Sequence, residues 1–204
     1  MKSVLSLVRH GHVLNPKDVF YGRLPGFRLS EKGRKQARFA AAALQHRELA
    51  AIFSSPLLRA RQTAREILRY HPGLKLKIST CLNEIYTPFE GFPAAAVDKR
   101  RGDVYTGTAP PFEQPADVVQ RVQKFAARAF KSFPGRHIAA VTHGDIIVFM
   151  VLWARGQPLT AAGKQNLTPF GITDGYPAPG SVTTFSCLSA SPHARPKVSY
   201  FKPY

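Results

Sequence analysis

The sequence predicts an α/β fold, a three-layer sandwich in which helices flank a mostly parallel central sheet. Short apolar runs of strand length alternate with stretches of helical period over most of the chain, the pattern that strand–helix–strand units produce. Two of those runs end alike, in Val8-Arg9-His10-Gly11 and in Val141-Thr142-His143-Gly144, and strand ends are where open α/β sheets place their ligands. The chain has 204 residues, 44% of them apolar. That is enough for one sizeable core, and no repeat or linker divides it. One domain over residues 1–204 is expected.

Taken in order, Val4 to Val8 is the first strand, buried because it runs straight into Arg9-His10-Gly11 without a small-residue cleavage site. Ser30-Glu31-Lys32-Gly33 opens a helix that continues through about Leu44. Ala51 to Ser54 is a second short strand, and Pro56 falls in the first turn of a helix to about Tyr70, where proline is tolerated. Leu74 to Ile78 is a third strand. From Cys81 to Pro115 the pattern dissolves into Tyr86, Phe89, Phe92, Tyr105, Phe112 and the Pro110-Pro111 pair. A long irregular stretch inside a compact domain usually carries function. Asp117 to Phe133 is an amphipathic helix with Val118, Val122, Phe125 and Ala129 on one face. His137 to Thr142 is a strand and Gly144 to Ala154 a helix. After a Gly/Pro-rich loop around Pro169 to Gly180 come two last strands, Val182 to Leu188 and Val198 to Phe201.

Composition narrows the function classes. A net charge of +17 draws anions of any kind, and its basic residues recur along the chain instead of forming a tail. No apolar run approaches the roughly 20 residues that span a bilayer, so a soluble protein is expected. Two cysteines, Cys81 and Cys187, are too few for a disulfide framework and lack metal-ligand spacing. A reducing, cytoplasmic compartment fits.

The chemistry concentrates at strand ends. Glycine after each strand-terminal histidine lets backbone approach a ligand, and the helix after His143 offers N–H groups to an anion. Ser54-Ser55-Pro56-Leu57-Leu58-Arg59 is a strand end leading into a helix with Arg59 in its first turn, facing the same crevice. Arg59 and Arg9 together suit the non-bridging oxygens of a phosphoryl group, because guanidinium matches phosphate bidentately and keeps its charge.

Arg9-His10-Gly11, Ser54 to Ala64, Leu82-Asn83-Glu84 with Phe89-Glu90-Gly91, and Val141-Thr142-His143-Gly144 together resemble the phosphoglycerate mutase-like histidine phosphatase superfamily, in its short, phosphatase-type branch. Leu29 to Ala37 also resembles the segment after that family's first motif, and the likeness runs from about residue 4 to 152. It implies one histidine-phosphatase domain with a leaving-group-side insertion at about 84–115. It also implies a metal-independent phosphomonoester hydrolase without a cofactor. In it His10 is the nucleophile that becomes phosphohistidine, Arg9, Arg59 and His143 bind the transferring phosphoryl group, and Glu84 is general acid and base. The chemistry agrees, since a phosphoryl transition state spreads charge over three equatorial oxygens and needs fixed positive donors more than a strong nucleophile.

Gly11, Asn15, Gly22, Arg23, Arg100, Arg101 and Gly144 are the expected substrate-binding residues, and Glu90, Asp145 and Glu113 are reserves for the acid. His12 stands where the family most often has an acidic residue, and Asn15 arrives one position early. Tyr21-Gly22-Arg23-Leu24-Pro25-Gly26 replaces a segment that commonly holds an aspartate, which makes Arg23 a further anion contact.

Three rivals are weaker. A metal hydrolase would use the alternating His10-Gly11-His12 and His143-Gly144-Asp145, but HxH barrels run to about 250 residues, and Arg9 and Arg59 beside a divalent ion are costly. A phosphoglycerate-type phosphomutase on the same site would use Lys99-Arg100-Arg101 to clamp a second acidic group, yet such mutases carry a longer insertion after Glu84. A nucleic-acid-binding protein would use the stripe Arg121, Lys124, Arg128 and Lys131, which a solvated helix face explains. The expected partner is a small anionic phosphorylated substrate, planar or with a second negative group, and neither membrane nor nucleic acid. A homodimer is left open.

Overall fold

The structure is a computed structural model that describes residues 3–187 and 195–204. Strands β1 (Ser3–Arg9), β2 (Leu49–Ser54), β3 (Leu76–Ile78), β4 (His137–Thr142), β5 (Val182–Cys187) and β6 (Lys197–Phe201) form one sheet in the order β3-β2-β4-β1-β5-β6. The first four in that order are mutually parallel, while β5 and β6 extend the β1 edge as antiparallel strands. Helices α1 (Glu31–Leu44), α2 (Leu58–Leu68), α3 (Ala94–Lys99), α4 (Pro115–Ser132) and α5 (Gly144–Ala154) complete the chain. The expected mostly parallel α/β sandwich is what these residues form.

Side-chain alternation along the strands sorts the two cores. Leu5, Leu7, Ile138 and Ala140 point to one face, where Phe125 of α4 and Phe149 of α5 cover them. Val8, Ala139, Val141 and Ile52 point to the other, against Ala40 and Ala41 of α1 and Ala60, Ala64 and Ile67 of α2. With both faces covered, the parallel strands read as continuous apolar runs. Every residue of α5 except Trp153 is buried, as expected of a helix that is apolar all round. Because α5 starts directly after His143, its burial fixes that strand end.

Register aligns the motifs. Arg9 pairs with Thr142 across β1 and β4, and Ser54 pairs with Val141 across β2 and β4. The ladder continues one step past the strands, with His10 N–H donating to the Thr142 carbonyl at 3.1 Å and Ser55 N–H to the Val141 carbonyl at 2.9 Å. His10, Ser55 and His143 therefore leave the sheet side by side.

Some boundaries differ from expectation. Pro56 precedes α2 instead of lying in its first turn, because Leu57 is the extended N-cap residue and its N–H is taken by Ser55 Oγ. Leu74 belongs to a turn closed on His71, which leaves β3 only three residues. α4 begins earlier, with Pro115 at its first position and the Asp117 carboxylate accepting the Gln114 N–H at 2.9 Å. The irregular stretch holds a single 3-10 turn at Thr80–Leu82 and the short α3. Leu188, expected in the strand that forms β5, lies outside the described residues.

Candidate active site

His10 is 3% exposed and held by two hydrogen bonds of opposite sense. Its Nδ1–H donates to the Gly11 carbonyl at 2.8 Å, and its Nε2 accepts from Arg59 Nε at 3.2 Å. Those partners select the neutral tautomer with the lone pair on Nε2. Burial, followed by the charges of Arg59 and Arg9, holds the imidazole well below the ordinary histidine range. An unprotonated Nε2 thus sits beside two guanidinium groups.

Arg59, fully buried near the start of α2, is the hub. Besides His10, it donates through Nη2 to the Gly22 carbonyl at 2.7 Å and to His143 Nδ1 at 3.3 Å, and its guanidinium lies 4.7 Å from the Tyr21 ring centroid. His143 stands edge-on to His10, with ring centroids 5.1 Å apart. Its Nε2–H donates to Ser55 Oγ at 2.9 Å, and Ser55 donates onward to Asn83 Oδ1 at 3.1 Å. Burial, then Arg59 and His10, keep its pKa low as well. Arg9 donates from Nη1 to the Pro177 carbonyl at 2.6 Å and packs 5.0 Å from the Tyr176 ring centroid. Its buried Nε has no partner among the described residues, an unmet donor of the kind an anion satisfies.

Glu84 closes the opposite side. Its Oε1 accepts the Ile85 N–H at 3.0 Å, and its Oε2 lies 3.7 Å from His143 Nδ1. Burial and then the Asp145 charge push its carboxyl up, against the pull of Arg59 and Arg9. Its backbone carbonyl is clamped by Arg23 Nε at 2.7 Å and Arg121 Nη2 at 3.3 Å. Both arginines pair with Glu113, at 2.7 Å each. A cavity of about 360 Å³ opens over this group, lined by His10, Arg9, Glu84, Asn15, Arg101 and Lys164 among others. A smaller one of about 250 Å³ reaches His10 past Gly11 and His12.

Residues 5–176 match the sequence model of the histidine phosphatase superfamily, branch 1. The chain belongs to that superfamily. An uncharacterized protein of Mycobacterium tuberculosis is 34% identical over 160 residues, covering 75% of this chain and 79% of its own length. A 2,3-bisphosphoglycerate-dependent phosphoglycerate mutase of Pseudoalteromonas atlantica is 35% identical over 101 residues, 48% of this chain and 44% of the mutase. Among solved structures, a mycobacterial glucosyl-3-phosphoglycerate phosphatase superposes with a TM-score of 0.78 at 25% identity, covering 99% of both chains.

The histidine phosphatase fold brings together His10, Arg9, Arg59, Glu84 and His143, and lines the two cavities with Gly11, Asn15, Gly22, Arg101 and Gly144. Two expected substrate contacts fall elsewhere. Arg23 does not line the site, because Glu113 and the Glu84 carbonyl use its guanidinium. Arg100 is turned into its own loop, donating to the Asp103 and Thr106 carbonyls at 2.8 Å each and packing on Phe89.

The two glycines are also required by packing. A Cβ on Gly11 would lie 2.2 Å from the Gly33 carbonyl oxygen of α1, and one on Gly144 would lie 2.3 Å from Tyr176 Oη. The missing side chains admit neighbouring protein at two positions that also line the cavities. Of the reserve acids, Glu113 is engaged by Arg23 and Arg121, and Glu90 accepts the Arg23 N–H at 2.6 Å. The basic stripe on α4 is broken, because Arg121 turns inward to that cluster. His12 Nδ1 meets Ser30 Oγ at 2.9 Å, and among the described residues no cluster of three or more metal-ligating side chains forms.

Sequence reasoning missed Tyr21, Lys164, Tyr105 and Tyr176. Tyr21 stood inside a quoted segment, beside Gly22. Lys164 and Tyr176 lie in a loop-rich region with no motif, and only their shared partner Asp145, next to His143-Gly144, pointed toward them.

Proposed function

We propose that this chain hydrolyses phosphomonoesters through a covalent phosphohistidine on His10. The observation that carries the reading is the setting of His10: its Nδ1–H is held by the Gly11 carbonyl, which leaves the Nε2 lone pair unprotonated and aimed at Arg59 Nε, from which an incoming phosphoryl group displaces it. Nε2 displaces the ester oxygen in line, and the Glu84 carboxyl gives that oxygen its proton. Arg9 and Arg59 hold the equatorial oxygens as charge spreads over them, and His143, whose Nδ1 accepts from Arg59, keeps that guanidinium in place. Water then attacks the phosphohistidine, Glu84 as carboxylate takes its proton, and His10 returns to its starting state. Arg9 and Arg59 already supply the positive charge a metal would bring, so the reaction proceeds without one.

The substrate is a small phosphomonoester whose leaving group fills the larger cavity and presents a second anionic group to Arg101. The hydrolytic reading is preferred over phosphoryl transfer between alcohols because the phosphatase likeness extends over the whole chain and the mutase likeness over less than half. Rapid quench of labelled substrate under exhaustive chelation tests it. An acid-labile, base-stable phosphoprotein is expected, with none in His10→Ala. A His10→Ala protein that keeps a tenth of the activity, or wild type silenced by chelator and restored by zinc, overturns it.

A further inference from the structure

The larger cavity is faced by the buried Asp145 and the partly buried Glu84, and the two carboxylates are hydrogen-bonded very unequally. Asp145, the second residue of α5, receives three side-chain donors. Tyr176 Oη gives to Oδ1 at 2.6 Å, while Tyr105 Oη at 2.6 Å and Lys164 Nζ at 2.7 Å give to Oδ2. Glu84 receives one backbone N–H, and the ring nitrogen nearest its other oxygen, His143 Nδ1, is already an acceptor from Arg59. A carboxylate that accepts three bonds, one from an ammonium group, keeps its charge. Two carboxylates lining one cavity then leave the proton on the other.

We infer that Asp145, caged by Lys164, Tyr105 and Tyr176, is a positioning residue that keeps the proton on Glu84, where the departing alcohol needs it. The inference rests on the proposed phosphohistidine mechanism and adds to it a residue that acts through Glu84. The groups facing Glu84 are Arg9 and His10 at the end of β1, Arg59 on α2, His143 and Asp145 at the start of α5, and Tyr21, Tyr105 and Tyr176 from the loops. Arg23 and Arg121 touch its backbone carbonyl only. Arg9 and Arg59 draw Glu84 toward ionisation, and Asp145 is the anion that opposes them. Lys164, as the counter-ion of Asp145, moderates that opposition.

The test is the alkaline limb of kcat/KM with an alkyl phosphate, which reports loss of the general acid in the free enzyme. Asp145→Asn removes the opposing charge, so Glu84 ionises more readily and the limb moves to lower pH. The result is a roughly tenfold loss at the alkaline end and little change at the acidic end. Lys164→Met has the opposite sign. It leaves Asp145 uncompensated, so the limb moves to higher pH. Opposite displacements support the inference, and a purely structural role does not produce them. Lys164→Met alone decides the matter if Asp145→Asn fails to fold. Limbs that stay in place, or that move the same way, overturn it. Glu84→Gln, run alongside, separates the two levels. If its limb persists, the Glu84 assignment itself is wrong and the inference falls with it. If its limb is gone while the others are unmoved, the inference alone fails.

Discussion

In the proposed mechanism the phosphoryl side and the leaving-group side of the site are built by different means. His10, Arg59 and His143 stand at or just past the ends of regular elements, fixed by the ladder between β1, β2 and β4 and by the buried helix α5. Glu84 sits on irregular chain after a 3-10 turn, and its position depends on the Arg23–Glu113–Arg121 cluster at its carbonyl. One side borrows the rigidity of the sheet. The other is assembled from charge pairs, and this makes it the more sensitive to single changes outside the site.

The largest effect is expected on the rigid side. Arg59→Ala removes the donor shared by His10, His143 and the phosphoryl oxygens, and should cost on the order of 100- to 1,000-fold in kcat/KM. Because it acts on the transferring group, alkyl and aryl phosphates should suffer alike. A loss confined to alkyl esters would place Arg59 on the leaving-group side and erase the distinction.

Glu113→Ala probes the assembled side. It frees Arg23 and Arg121 from their common partner and loosens the Glu84 segment, so kcat for alkyl esters should fall on the order of tenfold through misplacement of the acid. Aryl phosphates, whose leaving oxygen hardly needs a proton, should be largely spared. Steady-state kinetics on the two ester classes checks this, and equal losses would mean that the clamp supports the whole site.

The same contrast governs what the sequence revealed. The sheet, its parallel order and the strand-end residues His10, Arg59 and His143 were legible because apolar runs and strand-terminal His-Gly pairs encode them locally. Arg23 and Arg100 were expected to face the substrate and are bound elsewhere in the structure, Arg100 by carbonyls of its own loop and Arg23 by a distant carboxylate. An unpaired arginine and one whose partner is Glu113, ninety positions away, look the same in sequence. For Gly11 and Gly144 a packing constraint was not legible, because only the folded chain shows Gly33 and Tyr176 pressed against them. The cage around Asp145 draws Lys164 and Tyr176 from chain without a repeating pattern, where periodicity has nothing to report.

A smaller effect concerns stability. Burial holds His10 and His143 well below the ordinary range, and His137, half-buried and near the charges of Arg47 and His71, at about 4. Histidines in the unfolded chain titrate near 6.5. Above that pH neither state binds these protons and the stability is fully present. As the pH falls from there toward the folded values, only the unfolded chain takes them up, so stability declines. The urea midpoint should fall from pH 6.5 to 5. A flat midpoint over that interval would mean that the three rings protonate freely in the folded state.

Pre-steady-state kinetics of Glu84→Gln with an activated aryl phosphate tests the central claim most directly, because it separates phosphorylation of His10 from the step that needs Glu84. With the nucleophile and its cations intact and the leaving group needing no proton, the first turnover should remain fast. Hydrolysis of the phosphohistidine, deprived of its base, should be slow. The account predicts a burst of phenol close to one equivalent of enzyme, followed by slow turnover and an accumulated phosphoprotein. Equal losses on alkyl and aryl esters with no burst would contradict it.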